Sequence, residues 1–372
     1  MPVHRGMADT VPSAKTASNV ARSILTKNLR VKAGETVTIE GWPHTLPWAV
    51  ALARETRRLK AHPILLYEDE ASFWDSIESG ESKVLGASPA HEFGALAKTN
   101  VYIHMWGPGD RVRLSNLPPK DQQNVFAWND GWYKAAQKAG LRGARLELGR
   151  PFPVLAESYA VDQGTWTDQL TAATLVDPAK LAARASPIAR ALQRGKSIRI
   201  THPNGTDITL GLAGYLPRVY DARPVTGDPK RPFDLLCNLP AGAIRVALDE
   251  SVADGTIVAN RTCYYDDGVA TGATFEFSKG KLTEAHFDSG GERFDTPFKS
   301  AGKGRDRPGL LSIGLNPELH DTPQVEDIES GAVMVSVGGN RQLGGKNTAQ
   351  FFGWSIVAGP KVEIDGKPIS IP

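Results

Sequence analysis

Apolar residues recur along the first half of the chain with two alternating periods. Between Ala14 and Asn28 they fall at helical spacing, with Val20, Ala21, Ile24 and Leu25 on one side. Gly34-Glu35 turns into a β-branched run, Thr36 to Glu40, which predicts a strand. Pro47 to Leu59 reads as a helix whose apolar face carries Trp48, Val50, Ala51 and Leu52, and His62 to Tyr67 as a second strand. Glu68-Asp69-Glu70 supplies the negative charge that favours a helix N-terminus. Asn100 to His104 reads as a third strand. Strands alternating with helices in this way argue for βαβ units and a partly parallel sheet.

After Leu148 the pattern changes. Pro151 and Pro153 mark a connection, and Thr165 to Val176 and Pro178 to Arg194 read as two amphipathic helices. From Ser197 the short period dominates. Ile198 to Thr201, the turn Pro203-Asn204-Gly205 and Ile208 to Leu212 form an expected hairpin. Further strands are expected over Thr256–Asn260, Gly272–Phe277, Lys281–Phe287 and Val333–Val337. The predicted fold class is therefore α/β. A flexible tail over residues 1–12 precedes an α/β domain over 13–160, connecting helices over 161–195 and a β-rich cleft domain over 196–372.

Composition narrows the classes of function. A chain of 372 residues suits two domains. Its 43 Lys and Arg against 41 Asp and Glu leave a formal charge of +2, and no basic stripe stands out, so no nucleic-acid partner is expected. No run of about 18 apolar residues occurs, so no membrane partner is expected. The N-terminal stretch lacks the apolar core of a signal peptide. Cys237 and Cys263 are too few for a disulfide framework, and a reducing cytoplasm is the expected location. Glycine-rich nucleotide loops, a Gly-x-Ser-x-Gly elbow and a His-Glu-x-x-His pair are all absent.

Five turn-rich segments mark the second half. They are His202-Pro203-Asn204-Gly205-Thr206-Asp207, Cys237-Asn238-Leu239-Pro240-Ala241-Gly242, Asp254-Gly255-Thr256, Ile313-Gly314-Leu315-Asn316-Pro317, and Gly338-Gly339-Asn340 leading to Gly344-Gly345-Lys346-Asn347. In this order they resemble the aminopeptidase T and aminopeptidase S family of thermophilic metallo-aminopeptidases, with dihydroxypyridine ring-cleaving dioxygenases as relatives on the same scaffold. The resemblance runs from Ser197 to Asp365-Gly366-Lys367 and is architectural in the first half. It implies an aminopeptidase T-like cleft domain and a homodimer.

The resemblance also implies metal ligands, and these positions depart from it. A Glu is implied after the Asn-Leu-Pro-x-Gly turn, where Ala243 stands. Another is implied at Leu310, a His at Met334, and a His-x-Asp pair at Phe352 and Trp354. Zinc, cobalt and iron need carboxylates and imidazoles, and these five side chains offer one thioether. No metal and no other cofactor is expected. Arg341 and Lys346 are read as replacing the metal's charge, with Glu250, from the Asp249-Glu250 doublet, as a base. Solvated loop charges and a surface turn are the competing readings. Asn340, Asn347, Gln350, Phe352, Trp354 and Met334 are candidate substrate contacts. His44 and Trp106 join them because they follow strand ends, where open α/β sheets bind ligands.

The expected function is a divergent aminopeptidase T-like enzyme that hydrolyses or opens a small amide, carboxylate or ring substrate without the family metal. Two alternatives stand beside it. One is a metal-dependent aminopeptidase with a substitute site drawn from His286, Asp288 or His320. The other is a pseudoenzyme that binds a peptide or small molecule. Cys237 is a conceivable nucleophile with no His beside it.

Overall fold

Short polar side chains start the helices. Ser13 accepts the Thr16 N–H at 3.1 Å ahead of Ala14–Ser23, Asp69 that of Ser72 at 2.9 Å ahead of Glu70–Glu78, and Asp162 that of Thr165 at 2.7 Å ahead of Gln163–Thr174. The computed structural model describes residues 12–87, 89–228 and 231–372, so the tail expected over 1–12 lies, except for Pro12, outside the described residues. The chain divides into two units. The first is Met1–Leu175 with Ala222–Pro240, and the second is Val176–Asp221 with Ala241–Pro372.

The first unit holds β1 (Thr36–Gly41), β2 (His62–Tyr67), β3 (Val101–Met105) and β4 (Arg142–Leu146), in the spatial order β2-β1-β3-β4. All pair in parallel. Val37, Ile39, Val101, Ile103, Ala144 and Leu146 are buried, as strands covered on both faces require. β2, at the edge, leaves Ile64, Leu65 and Tyr67 exposed. Beyond β4 a fifth parallel strand joins, Leu236–Leu239, registered from Gly143↔Leu236 to Leu146↔Leu239. This strand corrects the expected boundary, because Ala222–Pro240 was placed in the domain 196–372 and belongs with the first unit. Four residues beside a Pro carry too little pattern to mark a parallel strand.

The second unit opens on helix Pro178–Arg194 and the expected hairpin, Ser197–His202 with Thr206–Gly211. The hairpin belongs to a seven-stranded antiparallel sheet. A separate five-stranded antiparallel sheet runs in the order Phe352–Ala358, Ala332–Gly338, Pro308–Gly314, Ala243–Ala247, Arg218–Tyr220. Its strands Pro308–Gly314 and Ala332–Gly338 are buried at every residue. That explains the unbroken apolar runs Gly309-Leu310-Leu311 and Val333-Met334-Val335, where a half-exposed strand would alternate. Gly338, at φ +101°, ends one of them, and a Cβ there would stand 2.1 Å from the Phe351 carbonyl oxygen. Among the described residues no helix is long and apolar enough to cross a membrane.

Candidate active site

One face of the five-stranded sheet gathers the candidate site. Register places Arg245 beside Ser312, Ser312 beside Met334, and Met334 beside Ile356. Residues side by side across a ladder share a face, as do residues two apart along a strand. Leu310, Trp354 and Phe352 therefore lie on that face too. With Tyr264, Gln324, Glu326, Asp327 and Gln342 they line a cavity of about 340 Å³, within the size range of small-molecule sites. Four of the five positions read as lacking metal ligands thus meet in one place. The fifth, Ala243, is fully buried and does not line the cavity.

Aromatic rings form one wall. Trp354 lies 5.6 Å from Phe352 and 4.8 Å from Tyr265, both at 31°. The Trp354 indole N–H and the Tyr265 hydroxyl are buried without a hydrogen-bond partner among the described residues. Burial drives the Tyr264 and Tyr265 phenols far above their ordinary pKa.

Two adjacent carboxyl groups sit in different environments. Arg245 donates to Asp327 Oδ2 through Nη2 at 2.7 Å and Nε at 3.1 Å, and the Ser312 hydroxyl donates to the same oxygen at 2.9 Å. Arg245 also lies over the Tyr220 ring at 5.1 Å. Among the described residues Glu326 has no such cation. Burial is the main cause that pushes its pKa up to about 8, its own and Tyr264's backbone N–H groups oppose the rise, and the charges of Asp327 and Asp321 add to it. Near neutral pH it is a carboxylic acid with a proton to give. The loop carrying both is pinned by Glu329, which takes Arg261 at 2.6 and 2.9 Å and the Asp321 N–H at 2.9 Å.

The other expected site residues lie elsewhere. Glu250 Oε1 accepts the Lys346 backbone N–H at 3.1 Å and the Asn340 amide at 3.2 Å, so it braces the glycine-rich turn. Asn340 also donates to Gly309 O and accepts the Asn347 N–H at 2.9 Å. Asn347 donates to Gly304 O and Gly338 O and accepts the Ala349 N–H. Both buried amides are engaged by the protein itself. Glu250, Lys346 and Asn347 border a wide, polar depression that includes Lys281 and Arg305, outside the aromatic cavity. Arg341 is exposed and lines neither cavity, whereas its neighbour Gln342 lines the aromatic one. Gln350 is exposed and donates to Thr348 O at 3.3 Å.

His44 and Trp106 fall in the first unit. His44 Nε2 lies 3.1 Å from Trp106 O, and burial lowers its pKa. Arg150 and Arg111 lie over the Trp106 ring at 4.4 and 5.6 Å. Both cysteines are buried thiols outside any disulfide, and burial drives the Cys263 thiol well up, which suits packing rather than nucleophilic attack.

The side chains present do not fit a metal centre of the implied kind. Among the described residues no three His, Cys, Asp or Glu side chains are grouped to hold an ion. The cavity lining offers two carboxyl groups, Glu326 and Asp327, and no imidazole, and Asp327 is bound to Arg245. His286 and Asp288 stand 3.8 Å apart on the surface, and His320 lies 3.4 Å from Glu329, which Arg261 already holds.

Arg245, Tyr264, Gln324, Glu326 and Asp327 were not expected in the site. A signal for Arg245 exists: it is the one charge in the buried strand Ala243-Ile244-Arg245-Val246-Ala247. The doublet Glu326-Asp327 between Val325 and Ile328 is a weaker signal of the same kind.

Comparison with known proteins follows the fold. A family model described as thermophilic metalloprotease (M29) matches residues 13–300. Wild-type AmpT from Thermus thermophilus is similar in structure, with a TM-score of 0.71 and 18% identity over 96% of this chain and 98% of that one. A 2,5-dihydroxypyridine dioxygenase from Pseudomonas putida KT2440 is similar at a TM-score of 0.61 and 15% identity, covering 96% of each chain. A sequence search among curated proteins found no match.

Proposed function

The chain belongs to the thermophilic metalloprotease (M29) family, and from that premise we propose that it is a divergent member acting without the family's metal on a small planar amide, carboxylate or ring substrate. The observation that carries this reading is the convergence of Leu310, Met334, Phe352 and Trp354 on one aromatic-walled cavity with a buried carboxylic acid. The family match ends at residue 300, before the strands that bear these four positions, which supports divergence concentrated there.

In this reading Trp354 and Phe352 stack on the substrate ring, with Met334 and Leu310 as an apolar floor. Glu326 gives its proton to the leaving nitrogen or ring atom. Asp327, whose Oδ1 accepts no hydrogen bond among the described residues, takes a proton from the attacking water. Arg245 keeps Asp327 oriented. These roles replace those expected for Arg341, Lys346 and Glu250. A homodimer and a cytoplasmic location belong to the same reading, and the exposed apolar residues of edge strand β2 support the dimer.

The test is metal analysis of the purified protein, followed by a screen of heteroaromatic amides and carboxylates for thermal shift and turnover. The expected result is no stoichiometric metal, turnover that survives chelation, and loss of turnover in Glu326→Gln. Stoichiometric zinc, cobalt or iron with activity lost on chelation would overturn it. Binding without turnover would favour a pseudoenzyme, a reading supported by the structural engagement of Glu250, Asn340 and Asn347.

A further inference from the structure

We propose that the first unit carries a second ligand site, an acidic aromatic cage for an organic ammonium ion. It is independent of the function proposed for the second unit, because every lining residue lies in the first.

The cavity measures about 470 Å³. Glu40 on β1 and Tyr102 on β3 form part of its floor, and helices Glu70–Glu78, Ala90–Leu96 and Asn129–Ala139 contribute walls. Its rings meet at steep angles. Trp42 and Phe73 are 5.6 Å apart at 76°, Tyr102 and Trp132 4.9 Å apart at 73°, and Trp128 and Trp132 6.4 Å apart at 80°. These are edge-to-face contacts, and Trp42, Phe73, Tyr102, Trp128 and Trp132 also present ring surface to the cavity, on which a cation can rest.

Charge selects the occupant. Glu40, Glu68 and Glu92 all line the cavity, and among the described residues no Lys or Arg does. Elsewhere in the unit inward carboxylates have their own guanidinium, as Glu35 has Arg142 at 2.7 Å and Glu147 has Arg150. In the cage only Glu40 is answered: Tyr102 at 2.7 Å and His104 at 3.0 Å both contact its Oε2, leaving Oε1 without a partner among the described residues. Glu68 and Glu92 have no side-chain hydrogen bond there, although His91 shares the lining. Glu68 and Glu92 keep part of their surface in solvent, and partial burial first, then the charges of Glu40, Glu92 and Asp69, pushes the Glu68 carboxyl up. A protonated amine or quaternary ammonium on an apolar stem answers all three features: size, ring faces and unmatched negative charge.

The test titrates the full chain with benzyltrimethylammonium, benzylamine and the neutral benzyl alcohol, read by tryptophan fluorescence. Both cations are expected to bind about tenfold more tightly than the alcohol. Glu68→Gln combined with Glu92→Gln, at two exposed positions, should erase that preference while leaving circular dichroism and melting unchanged or slightly improved. Trp128→Leu should weaken the cations, and Trp354→Leu, in the other unit, should not. Equal affinity for cation and alcohol, no saturable binding, or a preference that survives the double glutamine variant would each overturn the site.

Discussion

The two aromatic cavities contain similar residues and treat charge in opposite ways. In the first unit three carboxylates line the cage, and among the described residues no Lys or Arg does. In the second, one carboxylate is held by Arg245 and Ser312, and its neighbour Glu326 is protonated up to about pH 8. One cavity keeps a negative potential in reserve for a ligand, and the other has resolved its charge internally and retains a transferable proton. The difference shows that counting acidic and aromatic side chains does not tell what a pocket takes. What decides it is whether each charge already has a partner.

The largest effect that separates the cavities is the pH dependence of stability. Glu326 has a folded-state pKa raised from 4.5 to about 8. Its contribution is therefore fully present below about pH 4.5 and is lost as pH rises towards 8, at about 1.4 kcal/mol per unit. Denaturant unfolding at stepped pH should show this slope, and Glu326→Gln should flatten it. A wild-type curve level across that range would remove the protonated acid from the second cavity.

Next in size is the ion pair. Asp327→Ala leaves Arg245 partly buried with its carboxylate gone, and should lower unfolding free energy by about 2 kcal/mol. Replacing Arg245 by Met in the same background should recover part of the loss. In the cage the sign reverses: Glu68→Gln removes crowding rather than a partner and should raise stability by less than about 1 kcal/mol, an upper bound set by solvent screening. Smallest of all, Arg341→Ala should change stability by less than about 0.5 kcal/mol, as expected of an exposed loop charge. A larger loss there would return Arg341 to the site.

Much of the fold was readable because its signals are local. β1, β2, β3 and the hairpin around Asn204-Gly205 fall within a residue or two of expectation. The strand Pro308–Gly314 was not recognised, because covering on both faces removes the alternation that identifies a strand, and the edge strand Phe352–Ala358, with mixed burial, was not recognised either. The site divides in the same way. That Leu310, Met334, Phe352 and Trp354 lack ligand chemistry is a property of each residue alone, and it could be read. That Arg245 meets Asp327, 82 residues away, is a property of register and could not. Arg341 and Lys346 drew notice through charge and proximity in sequence. Asn340 and Asn347 instead lock the turn through their amides, and its charged side chains face solvent.

The late strand Leu236–Leu239 bears on how the protein is made. β4 ends at Leu146, but its partner is not synthesised until the chain has passed through the hairpin and the strand Arg218–Tyr220 of the other unit. During translation the first unit therefore waits with β4 as an open parallel edge, while segments of the second unit emerge from the ribosome. Neither unit is a contiguous stretch of gene, and the first can complete itself only after the opening part of the second has been made. A nascent chain halted before Leu236 should be protease-sensitive in its first 175 residues, and one halted well after Pro240 should be protected there.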